Sequence, residues 1–164
     1  MSMSSCCATK PSVSAVCPRC GQKGKAVGEE TPTHLLTKAA LSKRRDVPYL
    51  FCRTPICEVV YFSADGVTVF RKSDVRVRVG LKETEPPIPL CYCFGFTEQD
   101  VYDEVKATGR CTISERITAR VQAGECACEI KNPQGSCCLG KVRAAEKEAV
   151  ACWKSRRSSA VLMY

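Results

Sequence analysis

The sequence predicts an α+β protein: a small strand-rich subdomain packed with a helical one. Three observations predict it. Ten of the 14 cysteines in 164 residues fall into two sets, one on each side of residue 90. Short aromatic and β-branched runs dominate before residue 80, whereas helix caps and glycine stops dominate after 96. Between them, residues 82–90 (Lys-Glu-Thr-Glu-Pro-Pro-Ile-Pro-Leu) have the composition of a linker. The expected organisation is an arm over 1–15, a strand-rich subdomain over 16–82, a linker over 83–89, a helical subdomain over 90–140, and a helix with a basic tail over 141–164.

Residues 1–15 are aperiodic and read as a disordered arm. Their adjacent Cys6 and Cys7 are either two exposed thiols or a capture point for a soft metal. Thr31-Pro32 has the form of a helix start, and Leu35, Leu36, Ala39 and Ala40 predict a helix over 32–42. Strands are expected at 49–52, 58–62 and 67–70, with Asp65-Gly66 turning between the last two. Val75, Val77 and Val79 alternate with Arg76 and Arg78, which predicts a fourth strand with one wet face. Beyond the linker, Thr97 with Asp100 caps a helix that Gly109 ends. Thr112 with Glu115 forms a second capping box, and that helix runs to about Ala123 before Gly124. A final amphipathic helix is expected over 140–154.

No apolar run approaches the roughly 18 residues that span a bilayer, so no membrane insertion is expected. Residues 1–15 hold no apolar stretch of the secretory kind. The expected location is cytoplasmic, where thiols stay reduced and clustered cysteines bind metal or do redox work. A formal charge of +8 invites a nucleic-acid reading. Each metal centre held by four thiolates contributes about −2, leaving roughly +4, so no nucleic-acid partner is expected. A lone histidine, His34, leaves little scope for a histidine-based triad, and no catalytic residue is assigned.

The first set is Cys17-x-x-Cys20 and Cys52-x4-Cys57. Two tight turns that each present two sulfurs on one edge suit a tetrahedral ion, and four protein ligands make a closed, structural zinc site. Gly21 supplies the permissive backbone that such a turn needs. His34 is an alternative ligand, but it lies in a predicted helix away from both turns. Cys111, at a helix start, is either an activated thiol or a residue of no special role. Cys152 beside Trp153 is expected to pack.

In the second set, Cys91 and Cys93 precede the first long helix and Cys126 follows the next. An antiparallel helix pair brings these three together, and one later cysteine completes four. Backbone N–H groups at 94–99 and the helix start favour a negatively charged cluster, with Phe94-Gly95-Phe96 as apolar cover. Zinc would accept four thiolates here, but C-x-C with a long helical insert is more typical of a [2Fe–2S] cluster.

Cys91-x-Cys93, 32 intervening residues and Cys126 resemble the bacterioferritin-associated-ferredoxin type of [2Fe–2S] domain. The fuller run over residues 90–97 and 124–138, with Cys17-Pro-Arg-Cys-Gly and Phe51-Cys-Arg-Thr-Pro-Ile-Cys, is similar to the N-terminal domain of CopZ-type copper chaperones. The resemblance implies zinc on Cys17, Cys20, Cys52 and Cys57. It also implies a [2Fe–2S] cluster on Cys91, Cys93, Cys126 and a fourth cysteine, for which Cys137 is expected over Cys128 and Cys138. A short C-x2-C ending is missing. So is the family's Met-x-Cys-x-x-Cys copper-carrying module, which the 26 residues after Cys138 cannot build.

The resulting expectation is an iron–sulfur electron carrier in heavy-metal handling, without a copper-loading module of its own. It would supply one electron to reduce Cu(II) to Cu(I), with copper bound transiently, or to a protein redox or metal-transfer partner. The alternatives are a resistance protein whose spare thiols sequester soft metal, or a two-zinc, non-redox binding module.

Overall fold

A four-stranded antiparallel sheet organises the first half. The structure, a computed structural model, describes residues 15–161. Cys6, Cys7 and the expected arm through residue 14 lie outside the described residues. The strands β1 (Lys25–Val27), β2 (Tyr49–Phe51), β3 (Val59–Ser63) and β4 (Val69–Arg71) stand side by side in chain order. Gly66, at φ +73°, turns β3 into β4, while Asp65 Oδ1 accepts from the Val67 N–H at 3.1 Å.

Both faces of the sheet are buried, and each serves a different purpose. Leu50, Val59 and Phe62 face the first cysteine set, whereas Tyr49, Phe51, Val60, Tyr61 and Phe70 pack with Leu35 and Leu36. Adjacent Val60 and Tyr61 share a face because the β3–β4 register shifts between Val59 and Tyr61, which breaks the two-residue alternation. Each large apolar side chain buried in this way contributes about 1.5–3 kcal/mol.

The helix expected over 32–42 is two short helices, α1 (Glu30–Leu35) and α2 (Lys38–Leu41). Leu36 is extended at ψ 148° because it bridges to Val75, and Thr37 caps α2 by accepting from the Ala40 N–H. Thr31 is not a cap; it is buried inside α1. The strand expected at 75–79 does not form. Val75 and Val79 are buried as the alternation implies, but Arg78 turns to the following segment. Its guanidinium donates to Pro87 O at 2.6 Å, Glu85 O at 2.8 Å and Glu83 Oε2 at 2.9 Å. Single 3-10 turns occupy Lys72–Asp74 and Gly80–Lys82 instead.

The second half is a small hairpin, β5 (Pro89–Cys91) with β6 (Phe96–Thr97), followed by four helices. These are α3 (Glu98–Thr108), α4 (Ile113–Gln122), α5 (Cys128–Lys131) and α6 (Leu139–Val161). Thr97 and Asp100 cap α3 reciprocally, and Gly109 ends it at φ +77°. The Thr112–Glu115 box is absent. Glu104 instead accepts from the Thr112 N–H and hydroxyl, and Glu146 accepts from those of Ser114. Carboxylates from α3 and α6 thereby satisfy the free N–H groups at the start of α4. The final helix extends seven residues past the expected end, and its Val142 packs with Val101, Val105, Ile113 and Ile117 in one core.

Hydrogen bonds join the halves. Thr31 donates to Glu129 O at 2.6 Å, Tyr61 donates to Pro133 O at 2.7 Å, and Lys25 Nζ bonds Ser136. Tyr92, between Cys91 and Cys93, accepts from the Gly80 N–H and donates to Arg78 O, both at 2.8 Å. Among the described residues, no helix is long and apolar enough to cross a membrane.

Candidate metal centres

The first cysteine set converges. The sulfurs of Cys17, Cys20, Cys52 and Cys57 all lie within 4.8 Å of one another, and Cys20 and Cys52 approach to 3.6 Å. Gly21, at φ +70°, closes the first turn with its N–H on Cys17 O. Cys52 directly follows β2, and Cys57 stands two residues before β3. Zinc–sulfur bonds of about 2.3 Å place tetrahedral sulfurs about 3.8 Å apart, a small contraction from this arrangement. Three of the four are buried, and the Cys20 sulfur is half-buried beside the Thr54 hydroxyl at 3.2 Å.

Proton sharing shows why a cation belongs there. Burial pushes the Cys17 thiol up to about 12 and raises Cys57 as well. Burial also opposes ionisation of Cys20. Hydrogen bonds from Thr54, the Gln22 N–H, Cys52 and Cys17 overcome it and bring that thiol down to about 6. Without a cation Cys20 ionises easily, whereas Cys17 and Cys57 resist it. A divalent ion reverses that balance. His34 is exposed, its Nδ1 2.8 Å from Glu30 O, outside the sulfur group.

The second set is arranged differently. Cys93 and Cys128 sulfurs approach to 3.6 Å, and the buried Cys91 and Cys138 thiols act on one another's ionisation. Cys91, Cys128 and Cys138 are buried, and Cys93 is half-buried. Hydrogen bonding with Cys138 brings the Cys91 thiol down to about 6, helped by the Phe94 and Cys93 N–H groups and the charge of Arg120. Its partner Cys138 is raised by the same bond and by burial, and burial followed by Cys93 raises Cys128 to about 12. The Ala127 N–H points at the Cys93 sulfur at 3.3 Å. Of the cluster ligands expected from sequence, the structure therefore brings Cys91 and Cys93 into the two pairs. Cys126 is half-buried and Cys137 exposed. Among the described residues, only the first set gathers three or more ligand atoms as closely as a single ion requires.

The remaining thiols stand apart. Burial raises Cys111 to about 11, with Glu146 and Glu104 adding to the effect, so it is not activated. Cys152 is exposed rather than packed; Trp153 does the packing, against Gly109. Sequence reasoning missed Thr54, Lys82 and Tyr92, which hold the cysteine turns from outside. Thr54 carried a signal, being a hydroxyl residue inside the Cys52–Cys57 turn.

A cysteine-only tetrahedral site on one face of a small sheet, backed by a helical unit with two further sulfur pairs, defines a metal-binding protein. The family model for the CopZ-type zinc binding domain matches residues 14–76. Copper chaperone CopZ of Archaeoglobus fulgidus is 36% identical over 123 residues, which make up 74% of this chain and 57% of that protein. The X-ray structure of the Archaeoglobus fulgidus CopZ N-terminal domain superposes with a TM-score of 0.64 at 34% identity. The match covers 79% of this chain and 95% of that one. The chain thus belongs to the zinc-binding, CopZ-type N-terminal domains of copper chaperones, and it spans little more than half the length of the curated relative.

Proposed function

We propose that the second sulfur set holds a [2Fe–2S] cluster and that the protein supplies single electrons in copper handling. Its ligands are Cys91, Cys93, Cys128 and Cys138. The electron reduces Cu(II) to Cu(I) or passes to a protein partner, in a cytoplasm where the thiols stay reduced. The observation that carries this reading is the 3.6 Å approach of Cys93 to Cys128, with Cys91 and Cys138 buried in the same core and acting on one another as a second pair. One tetrahedral ion needs four mutually close sulfurs, as in the first set; two irons need one pair each. Likeness to a protein named as a copper chaperone supports copper as the metal handled.

When bound, a cluster on four thiolates would accept and return one electron at a potential low enough to reduce Cu(II). The chain's own residues tune that step. N–H groups of Phe94, Cys93 and Ala127 directed at ligand sulfurs favour the more negative, reduced state. Arg120, stacked 3.9 Å over the Phe94 ring, adds positive charge nearby, and Phe94 and Phe96 limit water access.

Serine variants test the ligand set on anaerobically purified protein. Cys128→Ser and Cys138→Ser should each lose the red-brown visible absorption, and Cys126→Ser and Cys137→Ser should keep it. The opposite pattern would restore Cys126 and Cys137 as ligands. A colourless wild type holding two zinc ions would overturn the cluster itself.

A further inference from the structure

Beneath the zinc knuckle lies a buried lysine with no carboxylate to meet. Lys82 is 6% exposed. Its ammonium donates to Thr54 O at 2.7 Å and Cys57 O at 3.0 Å, and it stands 5.7 Å from the centroid of the Phe51 ring. Both carbonyls belong to the turn that carries Cys52 and Cys57. Among the described residues, no ion pair uses Lys82. The neighbouring Glu83 is held instead by Lys72 and Arg78, each at 2.9 Å. Carbonyl dipoles and a ring face offset only part of the cost of burying a cation, so such a group needs an anion close by.

The adjoining site supplies one. Four thiolates around a divalent ion carry a net charge of −2. Thr54 touches both sides, with its carbonyl on Lys82 and its hydroxyl on the Cys20 sulfur. We propose that Lys82 is the charge-balancing, positioning residue of the zinc site. It fixes the Cys52–Cys57 turn through two carbonyls, and its charge favours the ion-loaded site over the empty one. This holds whatever the second sulfur set binds.

Zinc affinity of the full chain, measured by competition with a chromophoric chelator, tests the assignment. Lys82→Met removes the charge at similar length, Lys82→Gln keeps a donor without charge, and Lys82→Arg keeps the charge. Met and Gln variants should bind zinc at least tenfold more weakly, the Arg variant should stay within threefold of wild type, and all should share the wild-type far-UV spectrum at saturating zinc. Met and Gln variants within twofold of wild type would overturn the proposal. Equal loss in all three variants would make the role one of packing, and loss in Met but not Gln would make it one of hydrogen bonding; either result refutes charge balance. A Met variant that stays unfolded at saturating zinc refutes it too.

Discussion

Removing one hydroxyl from the sheet should loosen the ligand loop of the other half. Tyr61 is fully buried in β3, and its hydroxyl donates to the buried Pro133 carbonyl at 2.7 Å, five residues before Cys138. Tyr61→Phe keeps the ring and its packing but leaves that carbonyl without its donor. An unsatisfied buried acceptor costs about 1–3 kcal/mol. Taking about 1.5 kcal/mol, a chain of this size should lose about 3–6 °C in Tm. If the loss falls on opening of the 132–138 loop, iron should be stripped by chelator up to about tenfold faster. Burial raises the Tyr61 hydroxyl well above the ordinary tyrosine range, so it stays protonated and remains a donor. The gap between variant and wild type should therefore hold steady from about pH 6 to 9, below even the ordinary tyrosine value. Calorimetry and timed iron release measure both effects. An unchanged Tm with unchanged iron release would refute the claim that the sheet holds the ligand loop.

Two further perturbations probe the helical half. Arg120→Gln removes positive charge near Cys91 and should lower the midpoint potential of the bound cluster by ~20–40 mV, the equivalent of a half-exposed charge interaction of ~0.5–1 kcal/mol; an EPR-monitored redox titration giving no change or a rise would count against it. Gly109→Ala forces a Cβ onto a φ of +77° and to 2.8 Å from the Trp153 ring, so urea unfolding should show a loss of about 1–3 kcal/mol, and wild-type stability would refute the packing of α6 on the end of α3.

Much of this architecture was legible because local chemistry dictated it. Cys17-x-x-Cys20-Gly21 needs only a tight turn, and Thr97 with Asp100 needs only the first turn of a helix. The strands at 49–51, 59–63 and 69–71 followed from their aromatic and β-branched residues. What escaped was set by distant partners. Leu36 leaves the helical path for a bridge to Val75, and Arg78 leaves a strand pattern for three acceptors in the proline run. Glu104 and Glu146 displace the box at Thr112. The same limit bears on the proposed ligands of the second sulfur set. Helix pairing points to Cys126; the proposed ligand Cys128 is buried at the start of α5, where the Ala127 N–H turns to Cys93 and Thr31 holds the Glu129 carbonyl. For the proposed fourth ligand, burial favours Cys138 over the exposed Cys137, and spacing does not encode burial.

Metal content and EPR on anaerobically purified protein test the central claim most directly. The account predicts one zinc and two irons per chain, with a rhombic S = 1/2 signal after dithionite reduction. Two zinc ions with no iron, or iron without that signal, would contradict it.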